Sequence, residues 1–430
     1  MNVVFVNRFF FPDESATSRI TSSLAFALAE MGWTVHVITG RRFHNGARLP
    51  SAADEVAGVM LHRIWSSSFG CPRLIGRALE YLTFHASVWW QIRRLARSRV
   101  VVVACTDPPL LSVTAMLAVA RSEAALVNWI HDLFPEAAIL LGVLDARSFL
   151  PRLLCRLRDT SLRRARWNVV PTRRMTEPFL NRGIPSSALS IIHYWSDGQR
   201  IRPVERAGNA RLREWGLEDN FVVGYSGNFG RVHEFATILD AAESLRNQPN
   251  IVFLFIRDGY RRGWVENEVR RRGLENVLMK PLQPREHLAE SLSVPDLHLV
   301  SLLPHLETCS IPSKLYGILA AGRPTLFVGD VDGEVARIVT EGYCGAAVAI
   351  GDYHGLAGRI TELARSATLR HRMGENARRL FEQAFDQEIG IEQWHRLLID
   401  ASLSGETPMT AAAPIGTLRG FASRMGALIR

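Results

Sequence analysis

The sequence predicts an α/β protein of two doubly wound domains in tandem, and three observations carry that expectation. Short apolar runs of strand length alternate with amphipathic stretches of helix length, the pattern of βαβ units around a mostly parallel sheet. The pattern breaks at a polar, turn-rich stretch, Ile191 to Val204 (IIHYWSDGQRIRPV), and then starts afresh, as at an interdomain crossing. A chain of 430 residues, 47% of them hydrophobic, is long enough to bury two cores. The domains are expected over 1–196 and 197–375, with a linker and a possible amphipathic tail over 404–430.

In the first half, Val3 to Val6 reads as a strand, Arg8 to Ser18 as a loop, and Ile20 to Met31 as a helix stopped by Gly32. Val35 to Ile38 is the next strand, followed by candidates at Val59 to Ile64, Val100 to Ala104, Ala125 to Trp129 and Asn168 to Val170. The opening loop FFFPDESATSR carries small hydroxyl residues and no glycine where dinucleotide-binding proteins carry GxGxxG, which disfavours a nicotinamide cofactor. Arg73 to Arg99 is an aromatic helix with arginines at both ends, open to two readings. Leu79, Leu82, Ala86, Trp89 and Trp90 recur at helical spacing and would face a core. The same composition suits an interfacial helix, with aromatic rings at headgroup depth and arginines on lipid phosphates.

The second half repeats the alternation. Strands are expected at Val222 to Ser226, Ile251 to Ile256, Val277 to Met279, Leu297 to Leu303, Pro324 to Val328 and Ala346 to Ile350. Helices fall at about Glu234 to Arg246, Val265 to Arg272, Pro284 to Leu292 and Lys314 to Ala321, and Tyr353 to Asp400 looks helical throughout. After Leu403 comes the linker-like SGETPMTAAAPIG. Thr417 to Arg430 then places Leu418, Phe421, Met425 and Leu428 on one helical face, a second candidate membrane contact or a disordered tail.

The net charge of +9 is almost entirely arginine, since Lys280 and Lys314 are the only lysines. A basic balance fits an anionic partner: nucleic acid, a membrane surface or phosphorylated substrates. No nucleic-acid module is recognisable. Five scattered cysteines (Cys71, Cys105, Cys155, Cys309 and Cys344) indicate neither a disulfide framework nor a zinc site. The N-terminus enters a strand directly and no apolar run reaches the roughly 20 residues that span a bilayer. A cytoplasmic protein is expected, associated with the inner face of the plasma membrane if the basic aromatic segments bind lipid.

Four stretches lie where chemistry would sit, at the carboxyl ends of predicted strands. Ser301 to Pro324 (SLLPHLETCSIPSKLYGILAAGRP) runs from a strand through a polar loop into a helix, with Ser313 and Lys314 at the helix start and Glu307 the nearest acid. Such a start suits an anion, most plausibly a phosphate. Gly224 to Arg231 (GYSGNFGR) is a strand running into a glycine turn, whose glycines permit close approach of a ligand and whose Arg231 could hold a diphosphate. The opening loop brings Asp13, Ser15 and Thr17. WIHDLFPE sets His131 at a strand's end, as a catalytic or a structural histidine.

Together, GYSGNFGRVHEF, FLFIRDG, IPSKLYGILAAGRP and VDGEVARIV resemble the donor-binding half of family 4 retaining glycosyltransferases. The branch they most resemble assembles bacterial surface polysaccharides and exopolysaccharides. WIHDLFPE and FFFPDESATS match that branch in the first half, so the resemblance covers roughly Met1 to Leu398. It implies a GT-B fold: two Rossmann-like domains, acceptor on the first and nucleotide-sugar donor on the second, with residues 376–403 forming a helix that crosses back. It implies no cofactor and no metal, arginine, lysine and a helix terminus neutralising the departing diphosphate. By position, Gly227, Asn228, Arg231 and Lys314 would contact the diphosphate, Ser313 would cap the phosphate-binding helix, backbone at Pro281 and Leu282 would meet the base, and His131 would lie near the transferred sugar. The family's two glutamates, eight positions apart, are Cys309 and Gly317 here. Glu307 is taken for the first acid and Glu334 as a substitute for the second, which binds ribose. The expected donor is a nucleotide sugar, most plausibly a UDP-sugar, and the expected acceptor a polyprenyl-linked or other glycan. A nucleotide-sugar 2-epimerase and a non-catalytic donor-binding subunit are the alternatives.

Overall fold

A computed structural model of the chain describes residues 1–44, 46–47, 54–67, 74–96, 99–256 and 259–403. Cys71 and the expected tail over 404–430 lie outside them. The chain divides into two compact units: Met1–His193 with Thr308–Ser310 and the residues from Gly390 on, and Tyr194–Glu307 with Ile311–Ile389.

The first unit runs β1 (Asn2–Val6), α1 (Ala16–Glu30), β2 (Thr34–Thr39), β3 (Glu55–Val56), β4 (Val59–Arg63), α2 (Leu74–Leu95), β5 (Val101–Ala104), α3 (Leu111–Val119) and β6 (Ala125–Trp129). It continues with α4 (Glu136–Leu140), α5 (Phe149–Arg164), β7 (Trp167–Val170), α6 (Glu177–Leu180) and β8 (Leu189–Ile191). Among the described residues these strands form one sheet in the order β3-β4-β2-β1-β5-β6-β7-β8, parallel except for the β3–β4 pair. The central strands β1 and β5 are buried along nearly their whole length, and their unbroken valine-rich runs reflect helices covering both faces. Helix α1 starts four residues before the expected Ile20, because Ser15 takes the extended backbone of an N-cap and the hydroxyl-rich stretch winds into the first turn.

Helix α2 corrects the core-facing reading of its aromatic stripe. Phe84, Val88 and Ile92 face the core, whereas Leu79, Leu82, Ala86, Trp89 and Trp90 are exposed. The helix has two apolar stripes on opposite sides, and the buried one is the compact aliphatic and phenylalanine stripe that fits between α3 and the sheet.

The second unit contains α7 (Ala210–Glu214), β9 (Phe221–Ser226), α8 (Ala236–Ser244), β10 (Ile251–Ile256), α9 (Arg262–Arg272), β11 (Val277–Lys280), α10 (Leu288–Ser293) and β12 (Leu297–Ser301). Then follow α11 (Lys314–Ala320), β13 (Thr325–Gly329), α12 (Glu334–Glu341), β14 (Gly345–Ala349), α13 (Tyr353–Arg365), α14 (Ala367–Ala384) and α15 (Gln387–Leu403), whose residues from Gly390 on belong to the first unit. The sheet order is β11-β10-β9-β12-β13-β14, and each of these pairs is parallel. The β9 and β10 runs FVVGYS and IVFLFI send Tyr225, Phe253 and Phe255 into an aromatic core with Phe229 and Phe235. That core anchors the turn after β9. The region expected to be helical from Tyr353 to Asp400 is three helices, with breaks at Ser366 and Phe385.

Candidate active site

In the second unit the chain leaves β9 towards β10 on one side, and leaves β12 towards β13 on the other. Neighbouring strands whose crossovers diverge form a topological switch point, where a crevice opens at their carboxyl ends. The residues just past β9 and β12 are Gly227 and the stretch leading to α11.

Gly227 has φ of +146°, open to glycine and strained for other residues. A Cβ built there would stand 2.5 Å from Lys314 Cε and 2.8 Å from its Nζ, so the lysine lies directly against the bare backbone of the turn. Its ammonium sits 3.7 Å from the centroid of the Tyr225 ring. Behind it, the buried His233 donates from Nδ1 to the Ser301 carbonyl at 2.6 Å. Burial and then the Lys314 charge hold this imidazole well below its usual pKa, so it stays uncharged beside the ammonium.

The rest of the turn is fastened to the loop after β10. Asn228 Oδ1 occupies the space a Cβ on Gly259 would need, and Arg261 N donates to the Phe229 carbonyl at 2.8 Å. Arg231 stacks its guanidinium 3.9 Å over the exposed Tyr260 ring. Gly227, Asn228, Arg231 and Lys314 thus cluster around one turn. Tyr225, His233 and Tyr260 were not picked out from the sequence; GYSGNFGRVHEF holds the first two, and Tyr260 carries no local signal.

Four other expected contacts look different. Ser313 stands at the N-cap position of α11 with helical backbone, and its side chain makes no capping hydrogen bond. Glu307 is buried and accepts from the Glu334 N–H at 3.1 Å, closing the start of α12. Glu334 is itself buried and ion-paired with Arg337 at 2.6 Å, which turns its carboxylate to its own helix. Pro281 and Leu282 are exposed just past the edge strand β11, two strands from β9, and are not part of the cluster.

In the first unit, the loops after β1, β5 and β6 are tied together. Arg8 N donates to the Asp107 carbonyl at 3.0 Å, and His131 N donates to Thr106 Oγ1 at 3.1 Å. The His131 ring is buried, tilted against Trp129 at 4.9 Å, and burial pulls its pKa down to about 3. It is therefore neutral at neutral pH. Asp13 accepts from Ser15 N at 2.8 Å and from His44 N at 2.7 Å. Burial works to raise its pKa, but hydrogen bonds from Ser15 and His44 outweigh it and hold the carboxyl below its ordinary value. Asp13 thus organises the loop, Ser15 starts α1, and Thr17 lies half-buried in its first turn. Asp107 is an addition from the structure: burial, opposed by Arg8 and reinforced by Asp132, Asp13 and Glu80, pushes it up to about 6.

Two doubly wound sheets in tandem, one with a cationic turn at its switch point, match the GT-B fold class. The "Glycosyl transferase 4-like domain" family matches residues 15–195, and the "Glycosyl transferases group 1" family matches residues 211–380. The chain belongs to the GT-B glycosyltransferases formed by these two domains. It is 28% identical to the probable glycosyltransferase WbjE of Pseudomonas aeruginosa over 358 residues, 80% of this chain and 87% of that protein. It is 27% identical over 225 residues, 52% of this chain and 54% of the other, to WcaI of Escherichia coli (strain K12), whose name assigns it to colanic acid biosynthesis. HepE from Anabaena, solved with UDP and glucose, superposes with a TM-score of 0.70 at 15% identity, covering 92% of this chain and 99% of that one. The GT-B architecture and the transferase class are borne out, and the epimerase and non-catalytic readings are set aside. Among the described residues no helix is long and apolar enough to cross a membrane.

Proposed function

We propose that this chain is a retaining hexosyltransferase that takes its sugar from UDP and passes it to a polyprenyl-linked glycan, at the cytoplasmic face of the plasma membrane, during assembly of a cell-surface polysaccharide. The observation that carries the donor half is Lys314 lying against the Gly227 backbone at the switch point of the second sheet. A full positive charge beside a glycine that carries no side chain suits a diphosphate. UDP in the HepE structure and colanic acid in the WcaI name support the choice of donor and pathway class.

Chemically, a retaining transfer builds positive charge at the anomeric carbon and negative charge on the departing diphosphate. Lys314 and Arg231 stabilise the second of these, and because the turn is held by the aromatic core they need no reorganisation as the charge develops. His131 is assigned to the sugar. Held neutral by burial, it can hydrogen-bond a hydroxyl without setting a like charge beside an oxocarbenium-like carbon. Ribose is not assigned to Glu334, whose carboxylate is committed to Arg337.

Thermal shift and calorimetry with UDP, GDP, ADP and dTDP test the donor reading. UDP should raise the melting temperature by several degrees, as ligand linkage requires, and Lys314→Ala should remove most of that shift. No stabilisation by any of the four would overturn it. With a UDP-sugar and a lipid-linked glycan, Arg231→Ala and Lys314→Ala should each lower kcat/KM about a hundredfold. Unchanged kinetics in both would remove the diphosphate assignment, and a product of inverted anomeric configuration would remove the retaining one.

A further inference from the structure

We infer that the first unit docks on the headgroups of an anionic bilayer through one layer of three helices, α2, α3 and α5. This rests on the proposed use of a lipid-linked acceptor and adds which surface meets the lipid. Strands β4, β5, β6 and β7 are parallel, and the connections β4→β5, β5→β6 and β6→β7 all advance in one direction across the sheet. Right-handed crossovers then place their helices on one face, and α3 packs against both α2 and α5.

Each helix of that layer turns large apolar side chains to the outside. On α2, Leu82 is 64% exposed and Trp90 55%, with Trp89 beside them. On α3 the outward residue is Leu117. Helix α5 repeats the arrangement of α2 without any family motif to explain it: Phe149 is 69% exposed and shares one side with Leu150, Leu153 and Leu157, opposite the buried Pro151, Cys155 and Leu162. Scattered exposed leucines are ordinary, whereas an apolar stripe on each of the two helices packed against α3 marks an interaction surface.

Charge decides the partner. Arg93 and Arg94 on α2 are exposed, as are Arg152 and Arg156 on α5. The only acids of the three helices are withdrawn from the surface: Glu80 pairs with Arg8, and Asp159 is buried with Arg158 and Arg182. Arg93 lies 5.4 Å from the centroid of Trp89 and Arg94 lies 4.4 Å from that of Trp90, so indole and guanidinium present one amphipathic edge. A protein partner would meet unbalanced positive charge around this stripe. A bilayer with anionic headgroups offers phosphates for the arginines and an interfacial depth for the indoles.

The test is flotation of the full chain with vesicles of phosphatidylethanolamine and phosphatidylglycerol, compared with phosphatidylcholine alone, at low and high salt. Wild type should float with the anionic vesicles and less so at high salt. Leu82→Gln/Trp89→Gln/Trp90→Gln and, independently, Phe149→Gln/Leu153→Gln should each lower the vesicle partition coefficient tenfold or more. Melting temperature and the UDP-induced shift should be unchanged in whichever variant is scored. Absence of flotation in wild type, or flotation unchanged in both folded variants, overturns the proposal. So does a wild-type dimer in sedimentation velocity that either variant converts to monomer, because the layer is then a protein interface. Flotation without any nucleotide-induced shift would sink the donor assignment and leave the docking surface standing.

Discussion

Replacing Gly227 by alanine places a methyl group where Lys314 lies. The new carbon would stand 2.5 Å from Lys314 Cε and 3.1 Å from Cδ, against roughly 3.5–4.0 Å for a relaxed carbon contact. The lysine must therefore retreat by about 1 Å or more, a displacement on the scale that costs about a hundredfold in an enzyme's rate. One charge-assisted hydrogen bond is worth about 1.5–3 kcal/mol, so moving it away should weaken UDP by roughly ten- to a hundredfold. Removing it altogether in Lys314→Ala should do the same. If Gly227→Ala acts by displacing Lys314, the double variant binds UDP no more weakly than either single one. A hundredfold loss in each would then give a coupling of about 2.7 kcal/mol between the two sites. Calorimetric titration of UDP into the four proteins needs no acceptor and measures this directly. The φ of +146° adds a strain of about 1–3 kcal/mol in Gly227→Ala, visible as a lower melting temperature and separable from binding. Losses that multiply in the double variant would refute the account, since Lys314 and the bare turn would then act independently.

Three further outcomes are expected. The unfolded His131 imidazole takes up its proton near pH 6.5 while the folded one resists until about pH 3. Its share of stability is therefore full above pH 6.5 and is lost on acidification: the stability advantage of wild type over His131→Gln should shrink by about 2 kcal/mol from pH 6.5 to 5, and turnover at pH 7 should fall in the variant. A pH-independent difference would contradict the buried neutral state. Asp107 behaves oppositely: its carboxyl, raised from 3.8 to about 6, stays protonated in the fold where the unfolded chain has ionised, so its contribution declines as pH rises between those values. Asp107→Asn should gain about 2–3 kcal/mol relative to wild type between pH 4 and 7 in denaturant titrations, and a constant offset would remove the assignment. Glu307→Ala should cost about 1–2 kcal/mol by uncapping α12, whereas Glu307→Gln keeps an acceptor oxygen and should melt near wild type. If the Gln variant melts normally and still loses turnover, Glu307 has a role beyond capping.

Most of the sheet framework was legible because a buried parallel strand needs an unbroken apolar run. Ala125–Trp129 and Ile251–Ile256 match their expected limits, and the other central strands differ by a residue or two. Strands β3 and β8 were missed because they are edge strands of two and three residues, too short for any periodicity. Helix α2 was located correctly, and of its two readings the core-facing one put the wrong stripe inside. Phe84, Val88 and Ile92 repeat every fourth residue as convincingly as Leu82, Ala86 and Trp90, and only the groove between sheet and α3 selects the first set. At the site, Lys314 could be singled out because arginine has replaced lysine almost everywhere else. The roles of Glu307 and Asp107 could not, since one depends on the start of α12 arriving from beyond β13 and the other on desolvation where β1, β5 and β6 end together.

The two glutamate positions of the family show the same limit acting on function. With Cys309 and Gly317 in their place, Glu334 in VDGEV was taken as the substitute for the second, yet its place in the sequence said nothing about direction. As the first residue of α12, Glu334 has its carboxylate drawn by Arg337 one turn on, and its backbone N–H is taken by Glu307. Both acids are thereby spent on the start of one helix. Two charges placed to recognise a diphosphate in this unit are Lys314 and Arg231, one half-buried against a glycine backbone and one stacked on an exposed tyrosine. That difference in setting predicts a difference in behaviour. Lys314, walled by Tyr225 and the turn, should lose little of its effect on UDP binding as salt rises. Arg231, at the surface, should lose most of its effect between low and 0.5 M ionic strength, where the Debye length falls to about 4 Å. UDP titrations of Lys314→Ala and Arg231→Ala at both salts measure it, and equal salt sensitivity would mean the two cations share one solvent-exposed environment.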